Sequence, residues 1–325
     1  MDGARKVSTC GLSLVITVLC LVAGSLSAGE GKPGTAQWYP SMYGAEDTLG
    51  AINNLSPAKV LQAAALVREG KTYALGVETN TSTPAFPPRF FHLSVVQPGD
   101  GTGRPLGDNL ATGNDDRMSA WVGVGSQIDG LGHMGENHVY YNGHRAEDIV
   151  TPTGLKKLGI HALPPIVTRG VLLDMAAWFK MERLPAGRIF DREDIVAAAK
   201  ARDITITKGD VVLFHTGWQS LAESNPEEFI AGEPGIGVDG ARYLASLGVV
   251  AIGADTWGLE AVPHRVPGRF FPVHVELLAH NGVYILENMN TGPLVKDGVR
   301  EFMFVLGQPR FTGAVQAVIN PVAIR

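Results

Sequence analysis

Two stretches of this chain bring a carboxylate and an imidazole close together in sequence. The first is Gly125-Ser-Gln-Ile-Asp-Gly-Leu-Gly-His133. Gln127 and Asp129 lie two residues apart and share one face of a strand. His133 follows across Gly130 and Gly132, which disfavour a helix and predict a turn that carries it back toward Asp129. Carboxylate plus imidazole is an ordinary ligand pair for zinc or manganese. The same residues also suit a strand-end turn with a capping Asp and a surface His. The second stretch runs from His274 to Glu287-Asn288. His274 precedes a short helix-like piece, and Glu287 ends an apolar strand, where a carboxylate is either a ligand or an exposed strand-end charge. His280, beside the turn signal Asn281-Gly282, reads as a solvated loop histidine.

Asp255-Thr256-Trp257 follows an apolar strand, a place where loops often carry function, although an Asx-type turn explains the Asp equally well. Trp121, Asp255 and Trp257 are expected to contact substrate. His215 reads as a packed or capping residue and His264 as a surface one. There is no Gly-Lys-Ser/Thr phosphate loop, no helical His-Glu-x-x-His and no Gly-x-Ser-x-Gly elbow.

These side chains need elements to hold them. Ser56-Pro57 opens a helix with Ser as N-cap, an apolar face through Val60, Leu61 and Ala64, and an end at Gly70. Thr72 to Val77 reads as a strand, and residues 121–129 alternate like one. Residues 171–173, 211–214, 249–252 and 283–286 look like buried strands, and Asp191 and Asp239 like helix caps. Residues 84–116 are loop-rich, which fits a lid, an arm or a surface insertion. The order is mixed α/β without a regular βαβ repeat.

With 325 residues, 45% of them hydrophobic and 18% charged, the chain has material for a sizeable core. A net charge of -5 offers no basic footprint, which argues against nucleic acid as a partner. Arg5 and Lys6, the apolar stretch from Leu12 to Leu26, and small residues to Gly29 predict a signal peptide over 1–28 and an exported protein without a membrane span after cleavage. One domain is expected over 29–325. Cys10 and Cys20 both lie in the leader, so the mature chain has no thiol for catalysis, metal binding or disulfides.

Gly125 to His133, Tyr141-Asn142-Gly143, Gly170 to Asp174, Gly209 to Trp218, Gly253 to Thr256 and His274 to Asn288 resemble, in the same order, the cyclase-like metal-dependent hydrolases, among them bacterial kynurenine formamidase and isatin hydrolase. The family signature His-x-Gly-Thr-His-x-Asp-x-Pro-x-His, aligned on Asp129, places Gly123 and Gln127 at the first two His positions and keeps His133 at the last. The resemblance implies a swivelling β/β/α fold, with a compact barrel-like β core flanked by helices, and a homodimer or larger homo-oligomer. It implies hydrolysis of an amide, lactam or lactone of a small molecule. Asp129, His274 and Glu287 would hold one zinc or manganese ion, with Gln127 as ligand or as a group orienting water. His133 would complete the shell or move a proton, and Thr256 would assist at the substrate. A family member that binds a small molecule without cleaving it is the alternative.

Overall fold

Long apolar runs dictate the centre of the architecture. In the computed structural model, which describes residues 38–97 and 105–325, nine strands among the described residues form one sheet. They are β1 (Thr72–Ala74), β2 (Gln127–Asp129), β3 (Ile166–Asp174), β4 (Val211–His215), β5 (Ala251–Ala254), β6 (Tyr284–Glu287), β7 (Glu301–Leu306), β8 (Gln316–Val318) and β9 (Val322–Ile324). Their order across the sheet is β1-β9-β7-β3-β4-β5-β6-β2-β8. The sheet curls strongly into a half-barrel flanked by helices, the architecture expected from the resemblance. β3, β4, β5 and β6 run parallel. Such strands are covered on both faces, which is why Val-Val-Leu-Phe in β4 and the whole of β5 and β6 are buried. β7 is antiparallel to β3 and alternates buried with half-exposed residues, since one of its faces is not covered. Gly170 of β3 leaves room for Phe302 of β7, whose ring would lie 2.2 Å from a Cβ there.

Helix α1 (Pro57–Ala64) is capped by Ser56, whose side chain accepts from Lys59 N. It ends at Ala64 rather than Gly70, because Leu66 and Val67 donate three residues back and tighten the chain into turns. Lys59 carries the helix onto the sheet. Its Nζ meets Asp210 at 2.5 Å, and Arg169 of β3 grips the other oxygen of the same buried carboxylate. Helix α2 (Arg192–Ala201) starts with the Asp191–Asp194 capping box. Helix α3 (Val238–Ser246) is capped at Gly237, and Asp239 sits in its first turn instead of capping it. A π-helix, Val275–Asn281, leads into β6.

Two strand expectations contract. Only Thr72–Ala74 and Gln127–Asp129 pair, and residues 121–126 turn. The loop-rich stretch contains an antiparallel arm, Phe91–Val96 with Asp115–Ala120, exposed along most of its length. The signal-peptide reading and both cysteines lie outside the described residues. Among the described residues no helix is long and apolar enough to cross a membrane.

Candidate metal centre

The register of three antiparallel strands sets the floor of the site. Asp129 on β2 lies opposite Ile285 of β6 and Gln316 of β8, and Gln127 lies opposite Glu287. Directly opposed residues share a face, so Gln127, Asp129, Glu287 and Gln316 all project to one side. The short helix Pro272–His274 delivers His274 to the same place. Donor atoms of Asp129, His274 and Glu287 fall within 4.8 Å of one another, and all three residues are buried. His274 Nε2 stands 3.1 Å from Glu287 Oε1 and 3.6 Å from Asp129 Oδ2.

Supporting groups fix these three. Glu260 accepts from His274 Nδ1 at 2.8 Å and from the backbone N–H of His274 and Val273. That contact turns Nε2 toward the carboxylates, as the outer partner of a ligating imidazole does. Gln316 Nε2 donates to Asp129 Oδ1 at 2.8 Å. Asp129 Oδ2 is buried without a hydrogen-bond partner. A buried carboxylate oxygen in that condition is costly unless a cation takes it. Two carboxylates, one of them with an orphan oxygen, and an imidazole fit a divalent cation such as zinc or manganese.

The charges influence one another strongly. Burial, and then the neighbouring Asp129, push Glu287 up to about 7. Burial works against ionising Asp129 too, but His133 and His274 outweigh it and hold the carboxyl below its ordinary value. Burial would lower His274, yet Asp129, Glu260 and Glu287 raise it well above the usual imidazole range. Burial wins at His133 and lowers it despite Asp129.

His133 follows the turn Gly130–His133, where its backbone N–H returns to Gly130 O. Its Nε2 lies 3.8 Å from Asp129 Oδ2, so it flanks the three-residue cluster and faces a pocket. That pocket, about 150 Å³, is walled by Phe86, Arg89, Met134, Trp257, Gly258 and Phe271 over Gln127, His133, His274 and Glu287. Trp257 is pinned by Glu233, which accepts from its backbone N–H, and packs edge-on to Phe86 at 4.5 Å. Phe271 holds φ 48 and Leu259 φ 62, a left-handed backbone that bulky residues rarely adopt and that clusters at functional sites.

Several expected residues are placed otherwise. Gln127 turns its amide nitrogen toward Glu287 and Asp129, and an N–H donor has no lone pair for a cation. It hydrogen-bonds both carboxylates and so positions them, while its Oε1 is left without a hydrogen-bond partner. Asp255 lies outside the pocket lining. Its oxygens accept from Thr216 N, Thr216 Oγ1 and Gly217 N, which makes it the buried anchor of the turn after β4. Thr256 is fully buried behind the wall that begins at Trp257, and its backbone oxygen accepts from Asn288 N. Trp121 closes the base of the exposed arm, bonded to Phe90 O and outside the pocket lining. His280 is not a solvated loop residue. It lies in the last turn of the π-helix, bonds Glu136 at 2.8 Å and stacks on Trp38. His264 packs against Phe271 rather than lying free on the surface.

Arg89, Glu233, Glu260 and Gln316 were missed from sequence. Glu233 is fully buried and pushed well above its ordinary value, by burial first and then by Glu287. A capping or ligand-orienting carboxylate has no local spacing signal. A carboxylate preceding an apolar helix start, as Glu260 precedes Pro272–His274 by a loop, is too common to single out.

A family model described as "Cyclase" matches residues 62–261, more than half of the chain. No curated protein matches the sequence. A crystal structure of a novel cyclase is similar at 29% identity and a TM-score of 0.79, over 87% of this chain and 98% of that one. Isatin hydrolase A from Ralstonia solanacearum shares the fold at 17% identity and a TM-score of 0.60, over 83% and 98%. A "predicted metal-dependent hydrolase" from Bacillus stearothermophilus does so at 20% identity and a TM-score of 0.50, over 78% and 97%.

Proposed function

Because this chain belongs to the cyclase family, we propose that it is a metal-dependent hydrolase that opens an amide, lactam or lactone carbonyl of a small molecule. The observation that carries this reading is the convergence of Asp129, His274 and Glu287, buried within 4.8 Å of one another, beneath an aromatic-walled pocket. When bound there, a divalent cation supplies Lewis acidity: it polarises a carbonyl and lowers the pKa of water to about 7 in the best zinc sites.

The protein's own groups do the rest. Asp129, His274 and Glu287 would hold one zinc or manganese ion. Glu260 keeps the His274 ring turned to it, and Gln127 and Gln316 keep the carboxylates in place. His133, its side chain 20% exposed at the pocket wall, is the group placed to carry a proton from water to the leaving group. Trp257, Phe86 and Phe271 cover the reacting carbonyl and exclude solvent.

The test is metal content together with turnover on a panel of cyclic amides, formanilides and lactones. Asp129→Ala and Glu287→Ala are each expected to lose metal and activity together while keeping the folded spectrum. Full metal and full activity in either variant would remove that residue from the ligand set. Tight ligand binding without turnover of any panel member would favour a binding protein over an enzyme. The reading includes export with cleavage near Ser27–Glu30, checked by N-terminal sequencing of the secreted chain, and a homo-oligomer, checked by light scattering.

A further inference from the structure

Arg89 brings a positive charge into the pocket that the proposed hydrolysis leaves unassigned. It lies on the loop between Phe86 and the exposed arm and shares the pocket wall with Trp257 and Phe271. The one hydrogen bond of its side chain among the described residues runs from Nη1 to Gly123 O, at 3.3 Å. No carboxylate of the described residues lies within 4.0 Å of the guanidinium, whereas Arg169, at the other side of the sheet, is saturated by Asp210 and Glu301. A guanidinium carries five N–H donors in a planar fork suited to a carboxylate. Most of Arg89's have no partner among the described residues.

Gly123 explains how the side chain fits. A Cβ at residue 123 would stand 2.8 Å from Arg89 Nη1 and 3.1 Å from Gln127 Oε1. The guanidinium and the amide oxygen therefore crowd the same side of one glycine, and any side chain there would push Arg89 away. Gln127 is 1% exposed, and its Oε1 has no hydrogen-bond partner. A buried, unpaired acceptor beside an under-used donor fork is a built polar corner. It offers a ligand both an anion site and a place for an N–H. Phe86, Trp257 and Phe271 add apolar aromatic surface against which a flat body can pack.

We propose that Arg89 and Gln127 select the substrate: a planar small molecule that carries a carboxylate for the Arg89 fork and an N–H for Gln127 Oε1. The choice of this pocket as the substrate site rests on the hydrolase reading above. Within it, Arg89 is a binding residue that sets which amide or lactam is held over the metal centre.

The test uses the full, metal-loaded protein and two probes, benzoate and its neutral counterpart benzamide, titrated by calorimetry. Wild type is expected to bind benzoate at least about tenfold more tightly than benzamide, the scale of a charge-assisted hydrogen-bonded contact. Arg89→Gln is expected to abolish that preference. Arg89→Lys is expected to keep part of it, since the charge remains but the fork is lost. Gly123→Ala is expected to weaken benzoate binding through crowding of Nη1, with Arg89 itself intact. Benzoate held by the metal alone would bind Arg89→Gln as tightly as wild type, and that result overturns the proposal, as does equal binding of the two probes by wild type. The two readings fail separately. Turnover of neutral amides without a benzoate preference overturns the role of Arg89 and leaves the hydrolase. A benzoate preference that depends on Arg89, in a protein that cleaves nothing on the panel, does the reverse.

Discussion

Replacing Glu260 by Gln tests whether the ring of His274 is held ready for a cation. The carboxylate is 2% exposed and accepts three N–H bonds: Val273 N at 3.2 Å, His274 N at 3.0 Å and His274 Nδ1 at 2.8 Å. An amide keeps the shape but turns one end into a donor. If the NH2 group takes the Oε1 position, it opposes two N–H groups of His274. The imidazole must then accept at Nδ1 and carry its proton on Nε2, where it can no longer bind a cation. If the NH2 group takes the other position, Val273 N–H is left facing a donor. One buried hydrogen bond is lost either way, at about 1–3 kcal/mol. Loss of such an outer partner weakens metal binding by about 10–100-fold, or about 1.4–2.8 kcal/mol. Competition against a chromophoric chelator measures the affinity, and circular dichroism reports the fold. Unchanged metal affinity alongside a lower melting temperature would refute the argument, because Glu260 would then be only a helix anchor.

Asp210→Asn should leave Lys59 and Arg169 buried beside a neutral partner. It is expected to cost about 3–5 kcal/mol, or roughly 4–8 °C in melting temperature at about 1.5 °C per kcal/mol for a chain of this size; a shift under about 2 °C would contradict it. Burial would raise Glu276, but His280 and Arg242 overcome it and bring the carboxyl down to about 2, while carboxylates at 276 and 136 raise His280 against the pull of burial. The Glu276 contribution is present above its ordinary 4.5 and fades as pH falls from there toward 2, whereas that of His280 is complete below 6.5 and fades as pH rises through its raised folded value. Stability of the apoprotein against pH should therefore carry a contribution of about 1 kcal/mol between those limits, discounted for the exposed Arg242, and Glu276→Gln should flatten it; an unaltered profile would contradict the coupling. One ion per subunit is expected, because residue 123 offers no donor and Gln127 turns its nitrogen to the carboxylates. Two fully occupied anomalous peaks about 3.5–4 Å apart would overturn that.

The parts of the site that share a strand or a turn were legible in the sequence. The two-residue spacing of Gln127 and Asp129 and the glycines before His133 dictate local geometry, and both appear in the fold. The parallel strands were legible because burial on both faces forces continuous apolar runs. What periodicity cannot give is a partner. Asp255 satisfies the pattern of a functional loop residue, yet Thr216 and Gly217 consume its oxygens. His280 looks like a loop residue until Glu136, distant in sequence, reaches it. Arg89 sits in the least patterned stretch of the chain, and only the return of residue 123 beside it gives its charge a purpose.

The placement of β2 also governs when the centre can exist. Gln127 and Glu287 are 160 residues apart, and Asp129 and Gln316 are 187 apart, yet β2 lies between the strands that carry Glu287 and Gln316. A growing chain therefore makes β2 long before either neighbour. At about 5–20 residues per second, the gap to Glu287 alone is roughly 8–32 s. During that interval Asp129 has no Glu287 to meet, and a short strand waits with both edges unpaired. The three-residue centre therefore cannot assemble before the chain through Glu287 exists and has paired with β2, so metal loading follows folding of the finished sheet and does not accompany the making of Asp129.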